Sequence, residues 1–215
     1  MSIEPTLLEQ IKWFKAQIIT TFIIFLISVL IGYYLVDVNF IKEIVNEFKN
    51  STDSVIKSSE ISQFLWIFTN NAKVALLEII LGALSLFILV ANAIILIGGF
   101  AKLFILNGQD LNGLLLGMTP HGILELPAII LSAALGLKFT SCFLAFIKKQ
   151  TKRMSLLNPI HLFKQLKKDN EFKLNFRNIY QITFRLIIPM ILIAAFIEVF
   201  ISAKFLEIYF PQYLR

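Results

Sequence analysis

Asn71, Glu78, Asn92, His121, Glu125 and Glu198 stand inside otherwise apolar stretches of this 215-residue chain, and any chemistry it performs would have to use them. His121 and Glu125 lie four apart in Pro120-His121-Gly122-Ile123-Leu124-Glu125-Leu126-Pro127, so on a helix their side chains meet. A His–carboxylate pair binds a metal, shuttles a proton or forms a buried hydrogen bond. Two ligands alone are too few for zinc. Pro127 clashes with the Ile123 carbonyl in a regular helix, so the sequence predicts a helix that starts at the proline and leaves the i, i+4 geometry open. Asn71, Ala75, Glu78 and Gly82 follow at i, i+4, i+7 and i+11, which is one helix face. Asn92 and Gly99 are seven apart, and Ala194, Glu198 and Ser202 form an i, i+4, i+8 stripe.

The elements that carry these residues are set by the solvent. The chain is 57% hydrophobic and only 16% charged, with mean hydropathy +0.78, net charge +6 and pI about 9.4. Soluble chains hold roughly 25% charged residues. The composition excludes disorder, collagen and a soluble globular domain, and it predicts an all-α, polytopic transmembrane helix bundle in one integral membrane domain. The lone Cys142 excludes an internal disulfide and any multi-cysteine metal site. Residues 16–36 are an uncharged run of 21, long enough for a hydrocarbon core of about 30 Å. That is too long for the apolar core of a cleaved signal, so it reads as an anchor.

Charge placement decides the middle of the chain. Residues 148–185 hold ten Lys/Arg against two acids, whereas residues 37–60 hold three Lys against five acids. By the positive-inside rule the first segment is cytoplasmic and the second external. A single crossing at 79–101 would put both on one side. Splitting the region into two helices that turn near Gly82–Ser85 restores the agreement. The expected spans are therefore about five: 16–36, 61–82, 84–106, 122–147 and 186–203, with the N-terminus inside. The alternative is four spans plus a re-entrant 111–126. The basic segment is also expected to hold an amphipathic helix starting at Asn158-Pro159, either solvated or lying on anionic lipid. Residues 37–60 are expected to form no more than a small external cap.

In this topology Asn71, Glu125 and Glu198 lie in the outer half of the membrane, Asn92 near its middle and Glu78 deeper, which leaves room for one shared polar cavity. Polar groups in a bilayer are costly and as a rule face the bundle interior. Lys73 either neutralises a carboxylate or snorkels outward. Ala128, Ser132 and Gly136 form a small-xxx-small face for close helix approach. There is no nucleophile elbow, phosphate loop or His-Glu-x-x-His cluster, so no catalysis and no cofactor are expected.

Three blocks, taken together and in order, carry a resemblance. They are Asn70-Asn71 with Val74-Ala75 and Gly82, then Pro120-His121-Gly122-Ile123-Leu124-Glu125-Leu126-Pro127-Ala128, then Ala194-Ala195-Phe196-Ile197-Glu198-Val199-Phe200-Ile201. The chain resembles the stage II sporulation protein M family over residues 61–203. It departs from the family pattern at Ile201-Ser202-Ala203-Lys204, where a Thr-Pro ending is expected. The resemblance implies an all-helical, multispan protein without catalysis of its own. The family's namesake acts in engulfment in endospore formers as a membrane partner of two peptidoglycan-cleaving enzymes. Many relatives come from organisms that make no spores.

Three functions compete at this point: a membrane scaffold with protein partners or a homo-oligomer, a small transporter or channel subunit lined by the polar cluster, and a metal site at His121/Glu125. The lipid bilayer is the expected surrounding. The whole positive excess comes from residues 148–185, which argues against nucleic acid as a partner.

Overall fold

The computed structural model describes residues 6–106, 111–151, 169–202 and 204, which are helical nearly throughout, with no strand among them. Four helical stretches are long and apolar enough to cross a membrane: Lys15–Leu35, Glu60–Gly99, Gly122–Lys149 and Asn170–Ser202. The chain is a helical membrane protein.

Helix α1 (Leu7–Trp13) starts at a reciprocal capping box, in which Thr6 accepts from the Glu9 amide and Glu9 accepts from the Thr6 amide. Helix α2 (Lys15–Leu35) is the anchor. Helix α3 (Val38–Ile56) is capped by Asp37, whose carboxylate accepts from the amides of Asn39 and Phe40. Ile41 and Thr52 of α3 are buried while Lys42, Glu43 and Glu47 face out. The expected small cap is thus a 19-residue amphipathic helix seated by Ile41 against Gly99.

Helix α4 (Glu60–Leu81) ends at Gly82, the one described residue with positive φ, at +63°. An L side chain there would be strained and would also strike the Thr140 hydroxyl. After a short 3₁₀ turn the chain continues as α5 (Ser85–Asn92), a π-helical stretch Ala93–Gly99 and α6 (Phe100–Leu106). A continuous helix over Glu60–Gly99 would be about 60 Å long, twice a hydrocarbon core. The chain instead reverses. Glu60 sits within 3.6 Å of Lys204, and Lys102 donates to the Val36 carbonyl at the same end of the bundle, whereas Gly82 lies beside Gly136 and Thr140 toward the other end. The Thr140 hydroxyl accepts the Ala83 amide at 2.7 Å, one of the donors that the break frees.

The returning arm meets α2 backbone to backbone. A Cβ on Gly32 would strike the Ile94 carbonyl, and one on Gly98 would strike the Val29 carbonyl and the Gly32 backbone. Lipid offers no hydrophobic drive between helices, so this close approach supplies packing instead.

Helix α7 (Leu111–Thr151) runs 41 residues without a break at Pro120 or Pro127. The expectation of a helix starting at Pro127 is corrected here. Pro127 lies on an exposed face, and a transmembrane helix can absorb one missing backbone bond. Ser132, Ala133, Ala134, Leu135 and Gly136 are all buried, so α7 is surrounded on every side at this level. One apolar cluster, with Phe25, Leu89 and Ala93, packs on Ile130 and Ala133. A second, with Phe14, Ile182, Ile187 and Ile191, packs with Ala134 and Leu135.

The last stretch starts at Asn170, well before residue 186, because Asp169 caps it by accepting the Phe172 amide at 3.0 Å. It comprises α8 (Asn170–Ile182), a π-helical stretch Thr183–Ile187, α9 (Ile188–Ile197) and a second π-helical stretch Glu198–Ser202. The amphipathic helix expected near Asn158 lies outside the described residues.

The glycine contacts yield a graded expectation. Gly98→Ala and Gly32→Ala should each destabilise the protein by about 1–3 kcal/mol, as overpacking against backbone does. Gly122→Ala, with open space around its Cβ position, should be neutral. Thermal unfolding in mild detergent reads the difference, and equal melting of all three variants would refute the α2 contact.

Candidate functional site: a polar cluster inside the bundle

Helices α4, α5 and α7 are held at fixed register by the reversal at Gly82 and by the burial of α7, and they bring three of the singled-out residues to one place. The Asn71 side-chain amide donates to Glu125 Oε1 at 2.8 Å, joining α4 to α7. Asn71, Asn92 and Glu125 line one cavity of about 170 Å³, closed by Phe25 of α2 and by Leu89 and Ile129. Its walls are mostly apolar, so the three polar groups converge in a greasy pocket. Glu198, at the start of its π-helical stretch, lies near enough to Glu125 for the two carboxyls to interact electrostatically.

Glu78 is placed apart from this cavity. It lies seven residues beyond Asn71, about 10 Å along α4. It is fully buried, and neither carboxyl oxygen has a hydrogen-bond partner among the described residues. Ser85 is also fully buried, and its hydroxyl, without a hydrogen-bond partner among the described residues, lies against Gly136, as does the backbone carbonyl of Glu78. The backbone of His121 is helical, one turn before Glu125, and its side chain lies outside the described residues. Lys73 is exposed, so of the two expectations for it, the outward one fits.

Several polar residues that sequence reasoning passed over also sit inside the bundle. Gln10 and Gln181, 171 residues apart, are both buried and share a side-chain hydrogen bond that ties α1 to α8. Thr140 caps the reversal. A spacing rule finds neither the Gln10–Gln181 pair nor Thr140, because each answers to a residue far away in the chain. Ser132, on the small-residue face read from the sequence, donates to the Ala128 carbonyl at 2.8 Å and so needs no partner from another helix. Of the three π-helical stretches among the described residues, one follows Asn92 and one begins at Glu198. Such stretches widen a helix locally and are frequent at functional sites.

Chemically, the Asn71–Glu125 contact is an interhelical hydrogen bond to a carboxylate, and the surrounding space holds a few small molecules at most. An amide in place of the carboxyl keeps the acceptor oxygen. Glu125→Gln should therefore retain more thermal stability in detergent than Glu125→Ala. A double-mutant cycle of Asn71→Ala with Glu125→Ala should give a coupling of about 0.5–1.5 kcal/mol, the range for hydrogen bonds between membrane helices. Additive losses would show that the two side chains act separately.

A comparison with known proteins matches residues 21–203 to the model of the family described as Stage II sporulation protein M. Over 92 residues the chain is 39% identical to the uncharacterized protein MJ0706 of Methanocaldococcus jannaschii, a match that covers 41% of this chain and 40% of that protein. The chain thus spans well under half the length of the curated relative it matches. No solved structure matches the chain. The family match covers most of the first span, both arms of the reversal, the Pro120–Pro127 block and the last span, and the chain belongs to the stage II sporulation protein M family.

Proposed function

We propose that this protein is a non-enzymatic membrane scaffold: a multi-pass bundle whose polar cluster locks its own helices together while its surfaces recruit protein partners. The Asn71–Glu125 hydrogen bond carries this reading. It commits the acid of the Pro120–Pro127 block to holding α4 against α7, on the wall of a pocket too small for most substrates. Family membership supports it too, since the namesake's role in spore formers is that of a partner to peptidoglycan-remodelling enzymes. Five crossings, with the N-terminus and residues 148–185 cytoplasmic, agree with the reversal at Gly82 and with the concentration of ten basic residues in that segment. That segment is the docking surface of the proposal.

Topology and recruitment are tested separately. In a Cys142→Ser background, Asn50→Cys should react with a membrane-impermeant maleimide in intact cells, and Ser155→Cys only after permeabilisation. Labelling of both from outside would remove the fifth crossing. Crosslinking from residues 148–185 at native expression, read by mass spectrometry, should recover a recurring protein partner. Recovery of lipid-exposed background alone would contradict the scaffold.

One observation favours a second reading, a small transporter: the cavity shared by Asn71, Asn92 and Glu125. If it is a conduit, proteoliposomes should show solute flux that falls in Glu125→Gln and Glu198→Gln. On the scaffold reading no flux appears.

A further inference from the structure

At the end of the bundle away from Lys102 and Glu60, helices α1, α7 and α8 enclose a second cavity of about 270 Å³. It is unrelated to the Asn71–Glu125 cluster. Trp13 comes from the end of α1, Lys138, Cys142 and Phe146 from one face of α7, and Glu171 and Phe172 from the start of α8. Its place relative to the bilayer follows from the sequence. Trp13 lies three residues before the uncharged run 16–36, and Arg185 precedes the last apolar run. Lys138 sits at the same border, and its ammonium lies 4.6 Å from the Trp13 ring centroid. Tryptophan and snorkelling lysine are the residues of the headgroup layer.

The charges inside the cavity are unevenly spent. Asp169 is fully engaged: it accepts from the Phe172 amide at 3.0 Å and from Lys149 at 2.9 Å, and these two contacts hold its carboxyl below the usual range. Glu171 is only loosely held, 3.7 Å from Lys149 and with its side chain 76% exposed. Lys138 meets the Trp13 ring but no carboxylate among the described residues. Lys138, and a Glu171 carboxylate held only by its long contact to Lys149, therefore face a pocket walled by Trp13, Phe146 and Phe172, whose last two rings are 5.6 Å apart. We propose that this cavity binds the zwitterionic headgroup of an aminophospholipid, with its phosphate on Lys138, its ammonium on Glu171 and its glycerol against the aromatic wall. The cavity lies just below the usual ligand-pocket range, the size of a headgroup rather than of a whole lipid. The hydrocarbon chains would stay in the adjoining leaflet. This assignment stands independently of the scaffold reading.

The test is native mass spectrometry of the full chain, released in mild detergent from phosphatidylcholine vesicles doped with equal phosphatidylethanolamine and phosphatidylglycerol. Retained phosphatidylethanolamine should exceed phosphatidylglycerol, which lacks the ammonium, by about tenfold, the worth of one charge-assisted hydrogen bond. Glu171→Gln should abolish that preference, whereas Lys138→Gln should lower retention of both lipids, which share the phosphate. Glu171 is exposed, so its variant folds even if the Lys138 variant does not, and it alone decides the ammonium contact. Equal retention of the two lipids, or an unchanged preference in Glu171→Gln, overturns the proposal. Excess free phosphoethanolamine should leave the bound lipid in place; displacement would make a soluble phosphate compound the ligand and overturn the lipid assignment.

Discussion

A glycine with φ of +63° at residue 82 lets one long apolar run fold back on itself, and the rest of the bundle is arranged around that reversal. The break leaves backbone donors without a partner in their own helix, and a nearby side chain has to take one up. Thr140 of α7 does so by accepting the Ala83 amide. The reversal is therefore fastened to the helix that the others surround. From that point α5 returns to the depth of Asn71 and Glu125, which is how Asn92 comes to share their cavity. The next stretch then lies across α2 at Gly32 and Gly98, with little side chain between the two backbones.

The polar side chains fall into two groups with different surroundings. Asn71 and Glu125 satisfy each other, and the bond between them closes α4 on α7. The side chains of Glu78 and Ser85, nearer the reversal and fully buried, have no partners among the described residues. Leaving a buried polar group unpaired costs more than pairing it returns, so such groups restrict which packings a bundle can adopt. In a membrane, where apolar surface does not distinguish one packing from another, acids inside the spans supply that restriction.

Much of this was legible in the residues, and the rest was hidden for identifiable reasons. The turn near Gly82 came from the charge imbalance between residues 37–60 and 148–185, a constraint on the whole chain that a hydropathy window does not see. The face holding Asn71 and Glu78 came from helical period. Period gives depth and face but no neighbours, so the separation of Glu78 from the Asn71–Glu125 cavity could not be read. Pro127 misled because a proline that stops a water-exposed helix only loosens one in lipid. The helix over Val38–Ile56 is hidden in the sequence because polar residues predominate along it and its buried positions include the polar Thr52 beside Ile41. The Gln10–Gln181 bond joins residues from opposite ends of the chain, and π-helical stretches carry no residue signature.

The reversal is most directly tested by a distance. Spin labels at Ile61→Cys and Ile105→Cys, in a Cys142→Ser background reconstituted in lipid, report whether the two ends of this region meet. The fold described above places both at one end of the bundle, no more than about 30 Å apart, two to three helix diameters. A separation of about 65 Å, the length of an uninterrupted helix between those positions, would contradict it.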